Sequence, residues 1–528
     1  MRPSKRLLLS SVCKPFGDKY GDSFSTQTVF SYQNCWVQGP FLIEKTMQHW
    51  GLDVIASNLD IPSTVLQYPS MSRFVSELRR HHYDYVGLSF NEPTLHKVRP
   101  MVAAVRKHSP RSEIILGGYG TALGDETIGH LADHICRGEG IGFMRRLLGE
   151  PERPFNHPVI TAKTRLFSLP VLGETGLVSA GLGCPNGCDF CMTSHYFDRK
   201  HIRYLDTGKD IVDVLQKIRA EKPGLTSFWI CDEDLLMNRR RGREFLEAMR
   251  QSDLVLNIVV FGSMKSLSFY EVSELAEMGV SSIWVGFEGL RAGYAKMKSD
   301  RSYAQLAEEC RRYGIQLVMS MIIGFDYQTP EIIRDELREF MRLKPTMPQF
   351  LIHSPSAGTP LWHKLKEEGR LNRLYDDTSL RDGFSLMFEH PHISADEMRA
   401  LLMECYRTEY EVNGPSIFRA IETDLTTYEH LRDSSNPKLR ARAAQRRAAL
   451  ERSWGAYRAG LVHAPNEQIR RQVRELYARI ERSVGRPNLR TSLLSYAAVL
   501  AASWTNVRRR SSHLMQPRTQ SRAYNWDS

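Results

Sequence analysis

Short apolar runs alternate with segments of helical spacing over most of this chain of 528 residues. In residues 1–150, five runs have the composition of strands: Arg6–Val12, Asp53–Asn58, Tyr85–Phe90, Glu113–Leu116 and His134–Cys136. Helical periodicity fills the segments between them, Phe41–Trp50 among them. This alternation predicts an α/β fold that begins with a doubly wound, Rossmann-like domain, with a ligand site beyond the carboxyl ends of its strands.

A second series of apolar runs occupies residues 176–390, after a segment, 151–175, whose four prolines are typical of a linker. The six runs are Leu177–Ala180, Thr226–Cys231, Leu256–Phe261, Ser282–Phe287, Gln316–Ile323 and Gln349–His353. Continuous apolar runs are typical of parallel strands that are buried on both faces. Because a closed barrel of this kind needs eight units, six predict a partial (β/α)6 barrel.

From residue 391 the pattern is helical, and we expect an α-helical C-terminal domain over residues 391–490. Residues 491–528 form a basic tail with a short apolar helix, Ser492–Trp504, followed by Arg508 to Arg510. This helix is too short to span a bilayer. We expect it to dock on the protein, with peripheral contact at a membrane surface as the alternative.

The net charge of +11 is concentrated near the C-terminus. Residues 438–522 hold 19 Lys and Arg against 4 Asp and Glu, whereas the rest of the chain holds 52 against 56. This distribution argues against nucleic acid as the partner of a catalytic domain. The nine cysteines are scattered apart from one group of three, and we find no apolar run long enough for a transmembrane segment. We therefore expect a cytoplasmic protein.

The group of three lies in the sequence GLGCPNGCDFCMTSHYF, Gly181 to Phe197, as Cys184, Cys188 and Cys191. Proline, asparagine and glycine between the first two favour a turn, so the thiols belong to one compact loop. Thiolates on such a loop are ligands for a soft metal or an iron–sulfur cluster. Three ligands leave one coordination position open, which is typical of catalytic sites; a zinc knuckle completed by a distant histidine is the structural alternative.

This loop, including the aromatic Phe190 before the third cysteine, resembles the cluster motif of the radical S-adenosylmethionine (SAM) enzymes. The resemblance implies that Cys184, Cys188 and Cys191 hold a 4Fe-4S cluster whose fourth iron binds SAM. It also implies an electron donor, such as flavodoxin or ferredoxin. One electron then cleaves SAM to methionine and a 5′-deoxyadenosyl radical, which abstracts a hydrogen atom from an unactivated position.

Further SAM-binding residues follow from the same resemblance. Asp232 and Glu233, after the second strand, are expected near the SAM amino group, and Glu288, after the fourth, near its ribose or carboxylate. Ser320 and Gly324 on the fifth strand occupy positions that border the adenine. The residues alone leave simpler roles open, such as a helix N-terminal acid cluster or a small residue in a crowded strand.

The N-terminal sequences YVGLSF, LGGYGTAL and ICRGEGIGF resemble the cobalamin-binding domain that precedes many radical SAM enzymes. That resemblance assigns corrin contacts to Ser89, Gly117 and Gly118. The chain has no Asp-x-His-x-x-Gly sequence, so the usual histidine ligand to cobalt is missing. Cobalamin is therefore a possible cofactor, and the alternative is that the domain serves only as a scaffold, with the glycine pair forming a tight strand exit.

The leading prediction is a radical SAM methyltransferase of the cobalamin-binding type, acting on carbon or phosphorus of a small molecule or lipid. No residue is assigned to acid–base catalysis. One alternative keeps the radical chemistry for cyclisation or rearrangement without cobalamin. Another is tRNA methylthiolation, which needs a second cluster on three N-terminal cysteines, for which the chain offers Cys13, Cys35 and Cys136. The third alternative is a non-enzymatic interaction protein whose fold is stabilised by a bound metal.

Overall fold

The computed structural model describes residues 5–15, 38–45, 49–166, 173–510 and 516–526. Cys35 lies outside the described residues. The strands form two large sheets and one short hairpin-like pair. In chain order they are β1 Leu7–Ser11, β2 Ile43–Lys45, β3 Ser63–Gln67, β4 Tyr85–Ser89, β5 Glu113–Gly117, β6 His134–Ile135, β7 Ile160–Leu166, β8 Glu174–Ser179, β9 Gly181–Leu182, β10 Ile202–Arg203, β11 Ser227–Cys231, β12 Asn257–Gly262, β13 Val280–Glu288, β14 Gln316–Ile323, β15 Met347–Ile352 and β16 Gln520–Tyr524.

The α-helices lie mostly between these strands, with short 3-10 turns at several strand exits. In chain order they are α1 Trp50–Ala56, α2 Met71–Arg80, α3 Leu95–His108, α4 Asp125–Ile128, α5 Gly140–Leu148, α6 Met192–Tyr196, α7 Gly208–Glu221, α8 Arg239–Gln251, α9 Met264–Leu267, α10 Val272–Glu277, α11 Tyr303–Tyr313, α12 Pro330–Arg342, α13 Pro360–Glu367, α14 Ala395–Asn413, α15 Ser416–Leu431, α16 Pro437–Val462, α17 Glu467–Val484 and α18 Leu489–Arg510. Predicted caps are present, as where the Ser302 side chain accepts from the Gln305 amide at the start of α11.

The first sheet has the strand order β16-β3-β1-β4-β5-β6. Strands β3, β1, β4, β5 and β6 are parallel, and β16 adds an antiparallel edge. Strand β3 lies on one side of β1 and β4 lies on the other, so the strand order reverses between β1 and β4. Because ligands of doubly wound sheets bind beyond the carboxyl ends at such a switch point, Ser89 at the end of β4 is well placed for a ligand.

One N-terminal element differs from the prediction. Residues Asp53–Asn58, expected as a strand, begin inside α1, and the second strand of the sheet is β3, ten residues later. Helix α1 is buried on two sides, since Leu52 packs with the first sheet whereas Val54 packs against the central sheet. A helix buried on both sides has a continuous apolar run that resembles a strand. Of the predicted helix Phe41–Trp50, residues 43–45 form β2 and 46–48 lie outside the described residues.

The second sheet confirms the predicted six-stranded partial barrel. Its order is β15-β14-β13-β12-β11-β8-β7-β2, with β8 and β11 to β15 all parallel. Strand β7 falls in the predicted linker and pairs antiparallel with β8, and β2 pairs with β7. The fold class is therefore as predicted, while the predicted domain boundaries stay predictions.

The two faces of the barrel sheet have different neighbours. Val178, Phe228 and Ile258 point outward into the main hydrophobic core beneath the barrel helices. The alternate residues Leu177 and Trp229 point to the concave face, where they pack with side chains of α1 and α5. Since α1 and α5 belong to the N-terminal unit, that unit covers the concave face of the barrel.

The C-terminal region is helical up to Arg510, and the chain then returns to the first sheet. Strand β16 pairs with β3 from Gln520↔Gln67 to Tyr524↔Ser63. Arg522 and Tyr524 both contact the buried carboxylate of Asp53, with Arg522 Nη1 at 2.9 Å and the Tyr524 hydroxyl at 2.8 Å from Oδ1. Among the described helices, none combines the length and the apolar content that crossing a bilayer requires.

Candidate active site

The three cysteines lie on the loop that follows β8, the first strand of the barrel. Hydrogen bonds within the loop fix its shape: the Ser194 hydroxyl donates to the Cys184 carbonyl at 2.7 Å and accepts from the Gly187 amide at 3.0 Å. The Cys191 amide donates to the Cys188 carbonyl at 3.0 Å. Ser194 on α6 therefore ties the two ends of the loop together, and the Cys184 sulfur accepts from the Asn186 side-chain amide at 3.2 Å.

The three thiols lie in a largely buried environment that disfavours their charged form. Burial raises the pKa of Cys184 to about 12 and that of Cys188 to about 11, and it also raises the pKa of Cys191. Coordination to iron offsets this cost, since a metal-bound thiol loses its proton. Within the described residues, no three His, Cys, Asp or Glu side chains are placed to hold one metal ion together. Three thiols on one loop do fit a cluster, because each thiolate then binds a different iron.

Lys296 and Glu288 form a buried ion pair beside the cysteines. The Lys296 ammonium contacts the Glu288 carboxylate and lies 5.7 Å from the centre of the Phe190 ring. Its charge lowers the pKa of Cys188 and Cys191, against the larger effect of burial. Glu288 has a left-handed backbone, with φ of 59°, at a register shift between β13 and β14. Strain of this kind in a residue other than glycine is typical of functional sites.

Asp232, after β11, is held by side chains of the protein itself. Its Oδ2 accepts from Arg241 Nη1 at 2.7 Å and lies 3.1 Å from His201 Nε2. Burial opposes ionisation of Asp232, but His201 and Arg241 together hold its pKa below the usual value. Arg241 also donates to the carbonyl of Ala180 at 3.0 Å. The carboxylate therefore joins the second strand of the barrel to the start of the cysteine loop.

The two acidic residues after Asp232 have different surroundings. Burial and the neighbouring Asp232 charge raise the pKa of Glu233 to about 7, and its charge acts on Cys191 and on Tyr119 of the first sheet. Asp234 accepts from Ser263 at 2.8 Å and from Asn186 of the cysteine loop at 3.3 Å. Of the three acidic residues that follow β11, Glu233 is therefore the one whose carboxyl group is available to a ligand beside the cysteine loop.

Ser320 and Gly324 occupy the predicted fifth strand, β14. The Ser320 hydroxyl accepts from Trp284 Nε1 at 2.8 Å and contacts Gln349. Trp284 in turn lies near Phe261 and Trp229, with ring centres 5.5 and 6.4 Å away, so that aromatic rings cover the concave face here. Gly324 ends the strand with φ of 97°, a conformation that glycine adopts readily.

The predicted cobalamin-binding residues lie together at the carboxyl edge of the first sheet. Gly118 has φ of 87°, and a Cβ there would lie 2.6 Å from the Phe90 carbonyl oxygen and 2.9 Å from the Ser89 hydroxyl. At Gly117 a Cβ would meet only Cys136, at 3.8 Å. His49 Nε2 lies 2.7 Å from the Ser89 hydroxyl, and burial lowers the pKa of His49 to about 4. The imidazole is therefore neutral at neutral pH.

The carboxyl edge of the first sheet contacts the cysteine loop directly. The hydroxyl of Tyr196 on α6 lies 2.6 Å from the Thr121 hydroxyl and donates to the Gly118 carbonyl at 3.2 Å. The Tyr119 and Tyr196 rings pack edge to face, with centres 5.2 Å apart. The glycine turn of one sheet and the metal-binding loop of the other are thus in one contact network.

A cavity of about 490 Å³ opens at this junction. Its lining includes charged side chains from both units, side chains of the cysteine loop and one residue after β15: Arg137, Glu139, Lys200, Met192, His195 and Ala357. A volume of this size is typical of small-molecule sites.

Residues 178–340, which include all three cysteines, match the model of the radical SAM superfamily. The central domain is a radical SAM domain. The predicted family is therefore confirmed for the central domain.

Two curated relatives of this chain are methyl-transferring enzymes by name. The bacteriochlorophyllide d C-8(2)-methyltransferase of Chlorobaculum tepidum is 26% identical over 54% of this chain and 69% of its own length. The hopanoid C-2 methylase of Rhodopseudomonas palustris is 27% identical over 51% of this chain and 53% of its own length. The match therefore spans only about half of the second relative.

A solved structure has the same fold over most of the chain. It is TsrM from Kitasatospora setae, a radical SAM methyltransferase with cobalamin and a [4Fe-4S] cluster bound. The superposition covers 89% of this chain and 99% of TsrM, with a TM-score of 0.57 and 13% sequence identity. At this identity the likeness concerns the fold.

Sequence reasoning did not assign three residues that the structure places at this site. Lys296 lies in a loop after β13, and His49 precedes α1, and no motif distinguishes either position. Tyr196 lies five residues after Cys191, within the sequence Gly181 to Phe197. Its adjacency to the motif was the one available signal, whereas Lys296 and His49 depend on long-range folding.

Proposed function

We propose that this radical SAM enzyme is a cobalamin-dependent methyltransferase that modifies an unactivated carbon or phosphorus atom of a small molecule or lipid. The names of the relatives support methyl transfer, since the two curated relatives and TsrM are all described as methyl-transferring enzymes. The fold shared with TsrM supports a role for the N-terminal sheet in cobalamin binding.

The observation that carries the proposal is the contact between the two carboxyl edges. Tyr196, five residues after the third cysteine, bonds to Thr121 and to the carbonyl of Gly118. A domain that served only as a distant scaffold would not need its ligand-binding edge at the cluster loop. A methyltransferase that uses both cofactors does need it, because the transferred group has to pass between them.

On the barrel side, Cys184, Cys188 and Cys191 are the proposed cluster ligands, with Phe190 packed beside them. When bound, the cluster and SAM supply a low-potential electron and a cleavable sulfonium group. The Lys296 ammonium, paired with Glu288, places positive charge next to two of the thiols and thereby offsets the charge of thiolates in a buried site. Glu233 is proposed to accept from the SAM amino group, and Ser320 and Gly324 to border the adenine.

On the N-terminal side, Ser89, Gly117 and Gly118 are proposed to receive the corrin or its nucleotide tail. Bound cobalamin supplies a methyl group on cobalt for transfer. The residues fit this group, since the edge is lined by a hydroxyl, a neutral imidazole and a glycine turn without side chains. His49 is hydrogen-bonded to the Ser89 hydroxyl. Because burial opposes protonation of His49, this hydrogen bond is the same throughout the range near neutral pH.

The cavity between the two edges is the proposed substrate site. Arg137, Glu139 and Lys200 can bind a polar group of the substrate, while Met192 and Ala357 contact its apolar part. The exposed basic residues Arg199, Lys200 and Arg203 lie next to the cysteine loop, and Arg199 covers the turn at Gly187. This basic surface supports docking of an acidic electron carrier such as flavodoxin or ferredoxin.

The test combines corrinoid analysis with anaerobic turnover. We expect the protein purified from cobalamin-fed cells to contain about one corrinoid and, after reconstitution, about four irons per chain. With reductant and [methyl-¹⁴C]SAM it transfers label to a substrate extracted from the source cells. SAM cleavage to 5′-deoxyadenosine without corrinoid or labelled product would overturn the proposal in favour of cyclisation or rearrangement.

The same iron analysis addresses tRNA methylthiolation, for which about eight irons per chain would be expected. The positions of Cys13 and Cys136 argue against a second cluster. Cys13 packs in the hydrophobic cluster on one face of the first sheet and Cys136 in the cluster on the other.

A further inference from the structure

Helix α18, Leu489–Arg510, exposes an unusual amount of apolar surface. Of the ten large hydrophobic side chains that are exposed in the described residues, seven belong to this helix. They are Leu489, Leu493, Leu494, Tyr496, Leu500, Trp504 and Val507. Leu500 is 74% exposed and Trp504 is 62% exposed. An apolar patch of this extent on a folded protein marks an interaction site.

The exposed residues form one face of the helix. Positions 489, 493, 496, 500, 504 and 507 are three or four residues apart, which is the spacing of a single helical stripe. The opposite face carries small residues, among which Ser495, Ala502 and Thr505 are buried. Ala502 packs in the cluster formed by α15, α16 and α17, and His463 Nε2 lies 3.1 Å from the Ser503 hydroxyl. The helix is therefore docked through its small residues and presents its large apolar residues outward.

The charges around the stripe are of one sign. Residues 489–510 contain four arginines and no acidic residue, with Arg490 at one end and Arg508 to Arg510 at the other. The guanidinium of Arg458 on α16 lies over the Tyr496 ring, 3.8 Å from its centre. Two copies of this face would bring like charges together, which opposes self-association. An apolar stripe with interfacial aromatic residues and flanking arginines instead matches the surface of an anionic bilayer.

We propose that the exposed face of α18 binds the surface of a membrane that contains anionic lipids. Leu493, Leu500 and Trp504 enter the boundary between headgroups and acyl chains. The positive charge of residues 489–510 favours lipids with anionic headgroups. The helix lies parallel to the membrane, because its other face remains packed on α16. This surface is separate from the proposed cluster, corrin and substrate residues, so its function does not depend on the reaction that the enzyme catalyses.

Flotation of the full-length protein with vesicles tests the proposal. We expect binding to phosphatidylcholine vesicles that contain phosphatidylglycerol, and weaker binding to pure phosphatidylcholine or at high salt. The double variant Leu500→Glu/Trp504→Glu should bind at least about tenfold more weakly, because two charges then face the acyl chains. Brominated lipids should quench wild-type tryptophan fluorescence and quench the Trp504→Leu variant less.

The matched control is Val412→Glu, which changes an exposed apolar residue, 44% accessible, on α14. It should bind vesicles like the wild type. Circular dichroism shows whether the variants keep their helical content, and only folded variants are compared. The proposal is overturned if the wild type fails to bind anionic vesicles, or if the double variant binds as well as the wild type. It is also overturned if the wild type is a dimer without vesicle affinity that the double variant converts to a monomer.

Discussion

The carboxyl edges of the two parallel sheets face each other and differ in what occupies them. At the barrel edge, buried charged and sulfur-containing side chains crowd together: three thiols, Lys296 with Glu288, and Asp232 with Arg241. At the edge of the first sheet, the residues predicted to contact the corrin are uncharged: Ser89, hydrogen-bonded to a neutral His49, and a glycine turn in which Gly117 has room for a Cβ. A site that holds small, charged cofactors needs fixed charges, whereas a site for a large, flat one needs room for the ligand to approach the backbone.

The largest expected effect is at the barrel edge. Changing Cys184, Cys188 or Cys191 to alanine should lower the iron content from about four per chain to less than one, because two thiolates cannot retain the cluster. Reductive cleavage of SAM should be lost. Iron analysis and assay of 5′-deoxyadenosine measure both. Cys310→Ala, which changes a buried cysteine far from the loop in sequence, is the control and should keep its iron. Full activity in any of the three variants would contradict the ligand assignment.

The second effect concerns the buried charges of that edge. Arg241→Met should lower the free energy of unfolding by about 3–5 kcal/mol, because it leaves Asp232 buried with His201 as its one remaining side-chain partner among the described residues. Arg243→Met, on the same helix, removes a partly exposed pair with Glu274 and should cost less than about 1 kcal/mol. Denaturant titration measures both. Equal costs would mean that Arg241 contributes little to the stability of buried Asp232.

Substitutions of Gly117 and Gly118 test the carboxyl edge of the first sheet. Gly118→Ala should cost about 1–3 kcal/mol of stability, because its φ is positive and its Cβ would meet the Phe90 carbonyl. Gly117→Ala has room for a Cβ and should leave stability nearly unchanged. If Gly117 approaches the corrin, Gly117→Ala should still lose bound cobalamin, as measured by absorption of the purified protein. Retention of cobalamin in both variants would favour a scaffold role for this edge.

The smallest effect is a dependence of stability on pH. His157 Nε2 accepts from the Ser179 amide at 2.8 Å, and burial lowers the pKa of His157 to about 4. Because its folded pKa lies below its unfolded value, the stabilisation is complete above pH about 6.5 and is lost as the pH falls towards about 4. We expect a loss of about 1 kcal/mol between about pH 7 and about pH 5.5.

Thermal melts at several pH values measure this dependence. His157→Gln keeps an acceptor for the Ser179 amide and has no titrating group, so its melting temperature should fall less between these two pH values. An identical pH dependence in the variant and the wild type would assign the effect to other buried histidines, such as His49.

The difference between the two edges also explains what the sequence could predict. Continuous apolar runs located all six parallel strands of the barrel, and the cysteine spacing identified its loop, because both signals are local. The strand expected at Asp53–Asn58 is a helix because α1 is buried by two sheets at once, which no local pattern reveals. Lys296 and His49 reach their sites through long-range folding. Asp232, Ser89 and the other assigned positions were located from the resemblance, and their cofactor contacts stay predictions.

The pairing of β16 with β3 has a consequence for how the protein is made. Nearly the whole polypeptide separates these two strands, so the outer edge of the first sheet stays unpaired on the ribosome until residue 524 has emerged from the exit tunnel. The barrel can collapse earlier, since its strands are close neighbours along the chain. During synthesis, β3 is an open edge that invites pairing with other chains, and Asp53 lacks Arg522. Chaperone dependence and aggregation should therefore concentrate in this first sheet.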